Sequence, residues 1–415
     1  MTAPAALDTD GVLRPRTGVD GVEGVEGVEE AFLPAPTVQS HAANLSVLGD
    51  GSLGCVWFGG TQEGVADIDV WFSRLVPATD RWTAPVRLSD DPTRSEQNPV
   101  LFPAPDGQLW LFHTAQHAGD QDTSFVRART SPDHGATWGP ARTLLESERG
   151  GVFVRQPPVV LPSGAWVLPT FTCVRVPGEK WVGDRDTSSV WVSTDAGRTW
   201  TEHEVPDSTG CVHMSIVPRA DGGYAAYYRS RWADHVYRSV SDDGLDWSAP
   251  QPTGLPNNNS SIQAAPLSGH RTALVLNESS RLDAVARRVS LYDEIDDDGI
   301  SDTAPAEPET VSQEELAAVQ GAFWGAPRAP LTLAVSDDDG GTWPVRWVLE
   351  DGDGYCLSNN SRDGVNRELS YPSVCQDATG TVHVAFTYHR RAIRHVRISP
   401  AALDARTATA ESPSA

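Results

Sequence analysis

The chain has 415 residues and carries 56 acidic against 32 basic side chains, which gives a net charge of −24 and an isoelectric point of about 4.7. This acid excess argues against binding nucleic acid or an anionic membrane by bulk charge, because both would need a basic face. Lys180 is the only lysine, so nearly every cation is an arginine, whose guanidinium group can hold a carboxylate at two points.

Residues 1–28 are predicted to be a disordered acidic leader, because their Gly-Val-Glu triplets are low in complexity. They have neither the cationic start nor the apolar stretch of a secretory signal. The five cysteines are scattered and include no CxxC pair. Together these features predict a cytoplasmic protein with reduced cysteines, with secretion by another route left open.

An eight-residue motif, S-x-D-x-G-x-T-W, recurs along the chain at Ser131–Trp138, Ser193–Trp200 and Ser336–Trp343, with a weaker copy at Val240–Trp247. Its residues are those of a hairpin turn. Ser and Asp side chains bond local backbone, Gly adopts a positive φ, and Trp fills the space between neighbouring sheets.

Each copy lies in a frame of four strands, and six such frames predict an all-β, six-bladed propeller over residues 29–400. The fifth frame is interrupted by an insertion at about 278–328, in which Ser312 and Glu315 predict the start of a helix. The sixth frame has only three strands, so we expect the segment near Glu29 to add the fourth and close the ring. Residues 401–415 are predicted to be a disordered tail.

The boxes resemble the Asp-box (BNR) repeats of sialidase-like proteins, and their number and spacing are similar to that six-bladed superfamily from about Phe32 to Ile398. The segments FGGTQEG, NPV, RQPPVVLPSG, YYRSR and LSYPSV resemble its BNR-like subgroup. The boxes are structural, and this fold also carries lyases and binding modules, so the fold alone does not determine the function.

Candidate site residues are polar side chains at the starts of first strands and the ends of second strands, because these positions converge at one end of a propeller axis. They are His41, Glu63, Arg155, His213, Arg229, Arg231, Asn277, Tyr371, Arg390 and Arg391.

The resemblance implies specific roles for several of them. Sialidases use a late-blade tyrosine as nucleophile, and the segment SYPSV places Tyr371 similarly. A neutral phenol meets less repulsion beside an anionic sugar than a carboxylate would. Glu63 or Asp67 would then act as general acid. The side chains expected to hold the sugar carboxylate are Arg229, Arg231 and Arg390.

The leading hypothesis is an exo-α-sialidase-like glycosidase acting on a carboxylate-bearing terminal sugar of an acidic oligosaccharide or glycoconjugate. The second is a polysaccharide lyase that cleaves beside a uronic acid by β-elimination, with His41, His213 or Tyr371 moving protons. The third is a non-catalytic glycan-binding propeller. No cofactor or metal is expected, since the segment around Asp351 and Asp353 lacks the spacing of an EF-hand loop. The oligomeric state is left open.

Overall fold

The computed structural model describes residues 7–16, 26–288, 295–296, 299–300, 309–359, 361 and 364–410. Six antiparallel sheets of four main strands form a ring, which confirms the predicted six-bladed propeller. The strands are given from the inner to the outer edge of each blade: blade one is Gln39–Val47, Leu53–Gly60, Asp69–Leu75 and Val86–Arg87, and blade two is Ser95–Pro103, Leu109–His117, Asp120–Ser131 and Arg142–Leu145. Blade three is Gly150–Val154, Trp166–Val174, Thr187–Ser193 and Thr201–Glu204, with Val159–Val160 paired at the side of its second strand, and blade four is Cys211–Pro218, Tyr224–Ser230, His235–Ser241 and Gln251–Pro256. Blade five is Gln263–Leu267, Arg271–Asn277, Leu331–Ser336 and Val345–Glu350, and blade six is Leu369–Gln376, Val382–Tyr388, Ala392–Ile398 and Val28–Phe32.

The ring is closed by strands from the two ends of the chain. Val28–Phe32 pairs antiparallel with Ala392–Ile398, so the outer strand of blade six comes from the N-terminal region. The closure lies at the segment around Glu29, where the sequence predicts it. Arg394 strengthens it, because its Nη2 atom lies 2.7 Å from a carboxylate oxygen of Glu30.

Part of the segment assigned to a disordered leader is ordered. Arg14–Pro15 forms a short strand beside Val28–Phe32, and Leu13 is buried. Arg16 is also buried, between carboxylates of blade six and blade five. A single leucine and a single arginine make these contacts, and neither stands out in a low-complexity sequence. Residues 1–6 and 17–25 of the predicted leader lie outside the described residues.

The C-terminal segment differs from the expected tail, since Pro400–Ala410 is an α-helix. Proline suits the first position of a helix, and the Ser399 hydroxyl accepts a backbone N–H of the first turn at 3.3 Å. The helix packs on the outer strand of blade five, where the guanidinium carbon of Arg406 lies 5.0 Å from the Trp347 ring centre. These contacts are tertiary, and a sequence window does not reveal them. Residues 411–415 lie outside the described residues.

The boxes fold as the predicted turn. In the first box, Ser131 Oγ accepts the N–H of Gly135 at 2.8 Å. The Asp133 carboxylate accepts both the hydroxyl and the N–H of Thr137, each at 2.7 Å. These bonds to Thr137 lower the pKa of Asp133 to about 2. The box aspartate is therefore an anion that holds the turn through local hydrogen bonds.

Each box packs on the blade before it. A Cβ atom at Gly135 would lie 2.5 Å from the ring of Phe72 in blade one, so the position excludes a side chain as well as requiring a φ of +89°. Trp138 meets the same Phe72 ring edge to face, with ring centres 5.7 Å apart. Trp343 of blade five meets Tyr227 of blade four in the same way at 5.6 Å. The C-terminal helix follows the third strand of blade six, which has no box, and packs on the outer strand of blade five.

The insertion of blade five leaves the sheet after Asn277 and returns before Leu331. Its capping box is confirmed, because Ser312 Oγ accepts the N–H of Glu315 while the Glu315 carboxylate accepts the N–H of Ser312 at 2.8 Å. The described elements of the insertion are the 3₁₀ turn Arg281–Asp283, the paired strands Ala286–Arg287 and Glu309–Thr310, the paired strands Ile295–Asp296 and Gly299–Ile300, and the helix Gln313–Ala318.

No helix in the described part of the chain is long and apolar enough to span a membrane.

Four side chains form one chain of hydrogen bonds between blades one and six. Trp82 Nε1 donates to His395 Nδ1 at 3.2 Å, His395 Nε2 lies 3.1 Å from His383 Nδ1, and His383 Nε2 lies 3.3 Å from Asp377 Oδ2. An indole N–H can only donate, so each imidazole carries its proton on Nε2 and the direction of donation ends at Asp377. Burial lowers the pKa of both histidines, and that of His395 lies well below its usual value.

This chain predicts acid sensitivity. An unfolded histidine takes up a proton near pH ~6.5, whereas folded His395 does not. The free energy of unfolding is therefore unaffected by this histidine above that pH. It falls as the pH drops from there towards the folded-state pKa, by up to about 1.4 kcal/mol per pH unit for each such histidine. We expect His395→Gln to make the free energy of unfolding, measured with urea from about pH 7.5 to about pH 5, less dependent on pH. The exposed His270→Gln is the control. Equal slopes in the two variants would contradict the assignment.

Candidate active site

The inner strands of four blades share an irregularity near their starts. In each, the pairing with the second strand shifts register, and a residue other than glycine has a positive φ there. These residues are Ala42 (60°), Asn98 (49°), His213 (56°) and Tyr371 (50°). Bulges re-aim side chains, and strained backbone of this kind clusters at functional sites. The repeated bulge therefore marks one end of the propeller axis as the candidate site.

Tyr371 lies at the centre of this end. Its side chain is almost buried, and its hydroxyl accepts a hydrogen bond from Arg229 Nη1 at 2.7 Å. The ring centres of His41 and His213 lie 4.3 and 5.7 Å from that of Tyr371. A guanidinium group that donates to the phenol oxygen stabilises negative charge on it. The arrangement therefore suits a tyrosine that attacks a substrate or exchanges a proton with it.

Both histidines beside Tyr371 are neutral at neutral pH. Burial lowers the pKa of His41 and of His213 well below the usual value, and the surrounding arginines lower it further. His41 Nδ1 lies 2.8 Å from the Thr387 hydroxyl, whereas its Nε2 atom has no hydrogen-bond partner among the described residues. A neutral imidazole with one unengaged nitrogen can take part in proton transfer.

Arg155 and Arg229 have no carboxylate partner in the described part of the chain, and burial lowers the pKa of each to about 10. Arg155 Nη2 donates to the carbonyls of Ala43, Tyr371 and Pro372 at 3.0 to 3.1 Å, which ties blades one, three and six together across the axis. A buried cation without a counter-ion is costly. The positive charge of these two arginines is therefore balanced only by neutral acceptors in the described part of the chain.

Glu368 joins the other arginines of the cluster. Its carboxylate lies 2.8 Å from Arg390 Nε and 3.1 Å from Arg328 Nη1, and it accepts the Ser370 hydroxyl at 2.9 Å. Burial alone would raise the pKa of Glu368, but these two arginines hold it below its usual value. Arg390 also pairs with Glu63. Both of these carboxylates are thus engaged by guanidinium groups.

Arg231 belongs to a neighbouring unit. It pairs with buried Asp186 at 2.7 Å, and its guanidinium carbon lies 5.4 and 5.2 Å from the rings of Trp181 and Trp324. Trp324 also lies 5.7 Å from the guanidinium carbon of Arg229. This tryptophan of the insertion therefore connects the two arginines.

Residues 51–384 match the BNR repeat-like domain, which is well over half of the chain. The chain belongs to the BNR repeat-like family. A comparison with curated proteins finds no match.

Solved structures share the BNR repeat-like propeller at low sequence identity. The Hadza microbial sialidase Hz136 has a TM-score of 0.61 and 14% identity, over 88% of this chain and 66% of its own length. A protein of unknown function from Dyadobacter fermentans has a TM-score of 0.64 and 14% identity, over 90% of this chain and 100% of its own length. The NanB sialidase from Streptococcus pneumoniae has a TM-score of 0.61 and 11% identity, over 89% of this chain and 70% of its own length. These likenesses show a shared fold and confirm the resemblance to sialidase-like propellers.

The fold of this BNR repeat-like protein brings most of the predicted site residues together around Tyr371 and Glu368. Those that meet there are His41, Glu63, Arg155, His213, Arg229, Tyr371 and Arg390.

Three predicted residues make other contacts. Arg231 is in the neighbouring unit with Asp186. The Asn277 amide donates to the carbonyl of Leu369 at 2.8 Å, so it fixes the backbone that leads to Tyr371. Arg391 is half-buried in the turn after blade six's second strand.

Asp67, the alternative general acid, is exposed and caps its own loop by accepting the N–H of Thr61 at 3.1 Å. Among the described residues, no group of three or more His, Cys, Asp or Glu side chains is arranged to hold a metal ion.

Sequence reasoning missed two residues of the cluster, Glu368 and Arg328. Glu368 directly precedes the inner strand of blade six, which is the type of position from which the other candidates were drawn, so the sequence contained its signal. Arg328 stands at the end of the insertion, and only the folded chain brings it to Glu368.

Glu368 allows a direct test of the charge network. Removing one partner of a buried ion pair leaves the other uncompensated, so we expect Glu368→Gln to lower the free energy of unfolding by about 3 kcal/mol in urea titrations. The control is Glu179→Gln, whose pair with Arg185 at 3.3 Å is more than half exposed, and it should change stability by less than about 0.5 kcal/mol. Equal stability of the two variants would exclude the network as a major support.

Proposed function

We propose that this BNR repeat-like protein is a carbohydrate-active enzyme, a glycosidase of exo-α-sialidase type that acts on a carboxylate-bearing terminal sugar. One observation carries the proposal, the Tyr371 phenol bonded to Arg229 inside a cluster of buried cations. Two solved relatives of the fold are named sialidases, which makes a sialylated glycoconjugate the first substrate to test.

The sugar carboxylate is proposed to supply the missing counter-ion. The guanidinium carbons of Arg155, Arg229 and Arg328 lie 5.4 to 5.6 Å from the Tyr371 ring centre. Arg155 Nη1 and Arg328 Nε have no hydrogen-bond partner among the described residues. These donors suit a carboxylate better than Arg390, which two glutamates already engage.

In this proposal the Tyr371 oxygen attacks the anomeric carbon as the glycosidic bond breaks, and the leaving glycosidic oxygen takes a proton from solvent water. A water molecule then cleaves the glycosyl-tyrosine intermediate, with its hydroxyl going to the sugar and its proton to the Tyr371 oxygen. Arg229 stabilises the phenol oxygen while it is negative. His41, whose Nε2 atom is unengaged, is proposed to take up the phenol proton. Glu63 then positions Arg390 rather than acting as general acid.

Replacing the nucleophile tests this proposal. We expect the wild-type protein to release free sugar from sialylated or other acidic glycoconjugates, and Tyr371→Phe to lower kcat roughly a thousandfold or more. Tyr237→Phe is the control, because Tyr237 lies on the third strand of blade four and its hydroxyl bonds Asp234. Full activity in Tyr371→Phe would exclude this residue as nucleophile.

A second candidate function is β-elimination beside a uronic acid. It is supported by the two neutral histidines that flank Tyr371 and by the commitment of Glu63 and Glu368 to arginines. In elimination, a base removes the proton from the carbon that bears the carboxylate, and the neighbouring glycosidic oxygen leaves with a proton from an acid. The product contains a new carbon–carbon double bond.

One assay separates the candidates. Acidic oligosaccharides are incubated with the protein and followed both by free sugar and by ultraviolet absorbance, since elimination creates a chromophore and hydrolysis does not. If the reaction is elimination, His41→Gln and His213→Gln should each lower the rate by about 100-fold or more. Sugar release without absorbance would exclude the lyase. Saturable binding without either product would instead identify a glycan-binding propeller.

A further inference from the structure

A separate cavity of about 570 Å³ lies between blades four and five. Its walls are the two outer strands of blade four and the box of blade five. Boxes follow third strands, so this box is at the end of its blade opposite to the bulges around Tyr371. The cavity is therefore distinct from the candidate active site.

The charge of the cavity differs from that of the rest of the surface. Its described lining includes Arg238 and Arg346 but no aspartate or glutamate. Four other clefts on the described surface each have at least one carboxylate in their lining. In a chain with a net charge of −24, a concave surface whose charged lining is arginine alone is unusual. Such a lining favours an anionic ligand.

Two buried donor atoms in the lining have no acceptor among the described residues, Arg238 Nε and Trp343 Nε1. Trp343 is only 9% exposed. The corresponding indoles of Trp138 and Trp200 donate to the carbonyl of their own box glycine at 3.1 and 3.2 Å, whereas that of Trp247 also has no acceptor among the described residues. A buried unsatisfied donor costs about 1–3 kcal/mol. Both atoms are covered by protein, so a ligand in the cavity would reach them only if the arginine or indole side chain shifted.

Each of the two arginines has a partner within the protein but keeps unused N–H donors. Arg238 Nη2 donates to the carbonyl of Asp339 at 3.0 Å, and Arg346 pairs with Glu278 at a partly exposed site. A guanidinium group has five N–H donors, so each arginine keeps donors for a ligand. Glu278 competes with that ligand for Arg346.

We propose that this cavity binds a sugar that carries an oxyanion, such as a uronate or a sulfated sugar. The volume lies in the range of cavities that hold organic ligands, and a bare inorganic anion would fill only a small part of it. The hydroxyl-bearing residues Ser248 and Thr342 also line it, together with the box glycines, and offer hydrogen-bonding partners for sugar hydroxyls. This binding is independent of the reaction at Tyr371.

The test follows the indole N–H resonance of Trp343 in the full chain by NMR, assigned by its loss in Trp343→Phe. Glucuronate, glucose 6-sulfate, glucose and sodium sulfate are the probes, and the Trp343 resonance reports binding in this cavity rather than binding at Tyr371. We expect a saturable shift with the two anionic sugars, and at least tenfold weaker binding of glucose and of sulfate.

Variants then assign the contacts. Arg238→Gln and Arg346→Gln should each weaken binding about tenfold, which corresponds to about 1.4 kcal/mol. Glu278→Gln should tighten it, because it releases Arg346. Arg149→Gln, an exposed arginine of blade three, should leave it unchanged. Arg346 is partly exposed, so its variant remains informative if Arg238→Gln does not fold.

The proposal is overturned if neither anionic sugar shifts the resonance, or if glucose binds as well as glucuronate. Equal binding of sulfate and the anionic sugars would show an adventitious ion only, and would also overturn it.

Discussion

Compensation of buried positive charge determines how the axis of this propeller is built. Three arginines surround one tyrosine, and the fold satisfies them in different ways. Arg328 has the Glu368 carboxylate, Arg155 has three backbone carbonyls, and Arg229 has the Tyr371 phenol. Backbone carbonyls and a phenol neutralise a guanidinium less completely than a carboxylate does. Arg155 and Arg229 therefore keep more of their positive charge than Arg328 does, so the electrostatic potential beside Tyr371 is positive. The overall charge of the protein is strongly negative.

The sequence predicted the architecture well because the fold is repetitive. The boxes and the strand frames are each encoded in a short window, and six copies of the frame show the same pattern independently. The closure near Glu29 could be predicted because the sixth frame lacks one strand. The segments predicted less well, Arg14–Pro15 and Pro400–Ala410, depend on contacts with distant blades. Their local sequences have low complexity or weak patterning, so only tertiary packing specifies them.

The candidate site was predicted in part for a similar reason. Positions at inner-strand starts are periodic in the blade frame, and Tyr371, His41 and His213 were found there. The sequence does not show which arginine meets which acceptor, and so Arg390 was expected to hold substrate although two glutamates engage it. Arg328 is outside the repeat altogether. Family membership fixes the frame of such a site, whereas its chemistry depends on pairings that differ between members with the same fold.

The closure of the ring also constrains how the chain can fold during synthesis. Val28–Phe32 is made before blades one to five, whereas its partner Ala392–Ile398 is made after them. Until that partner has been made, the early strand has no neighbour on that side and exposes unpaired backbone groups. Such a long-range pairing forms slowly, after the local hairpins of the five other blades. The pairing that becomes possible only after blades one to five have been made is therefore also the one that joins the propeller into a continuous ring.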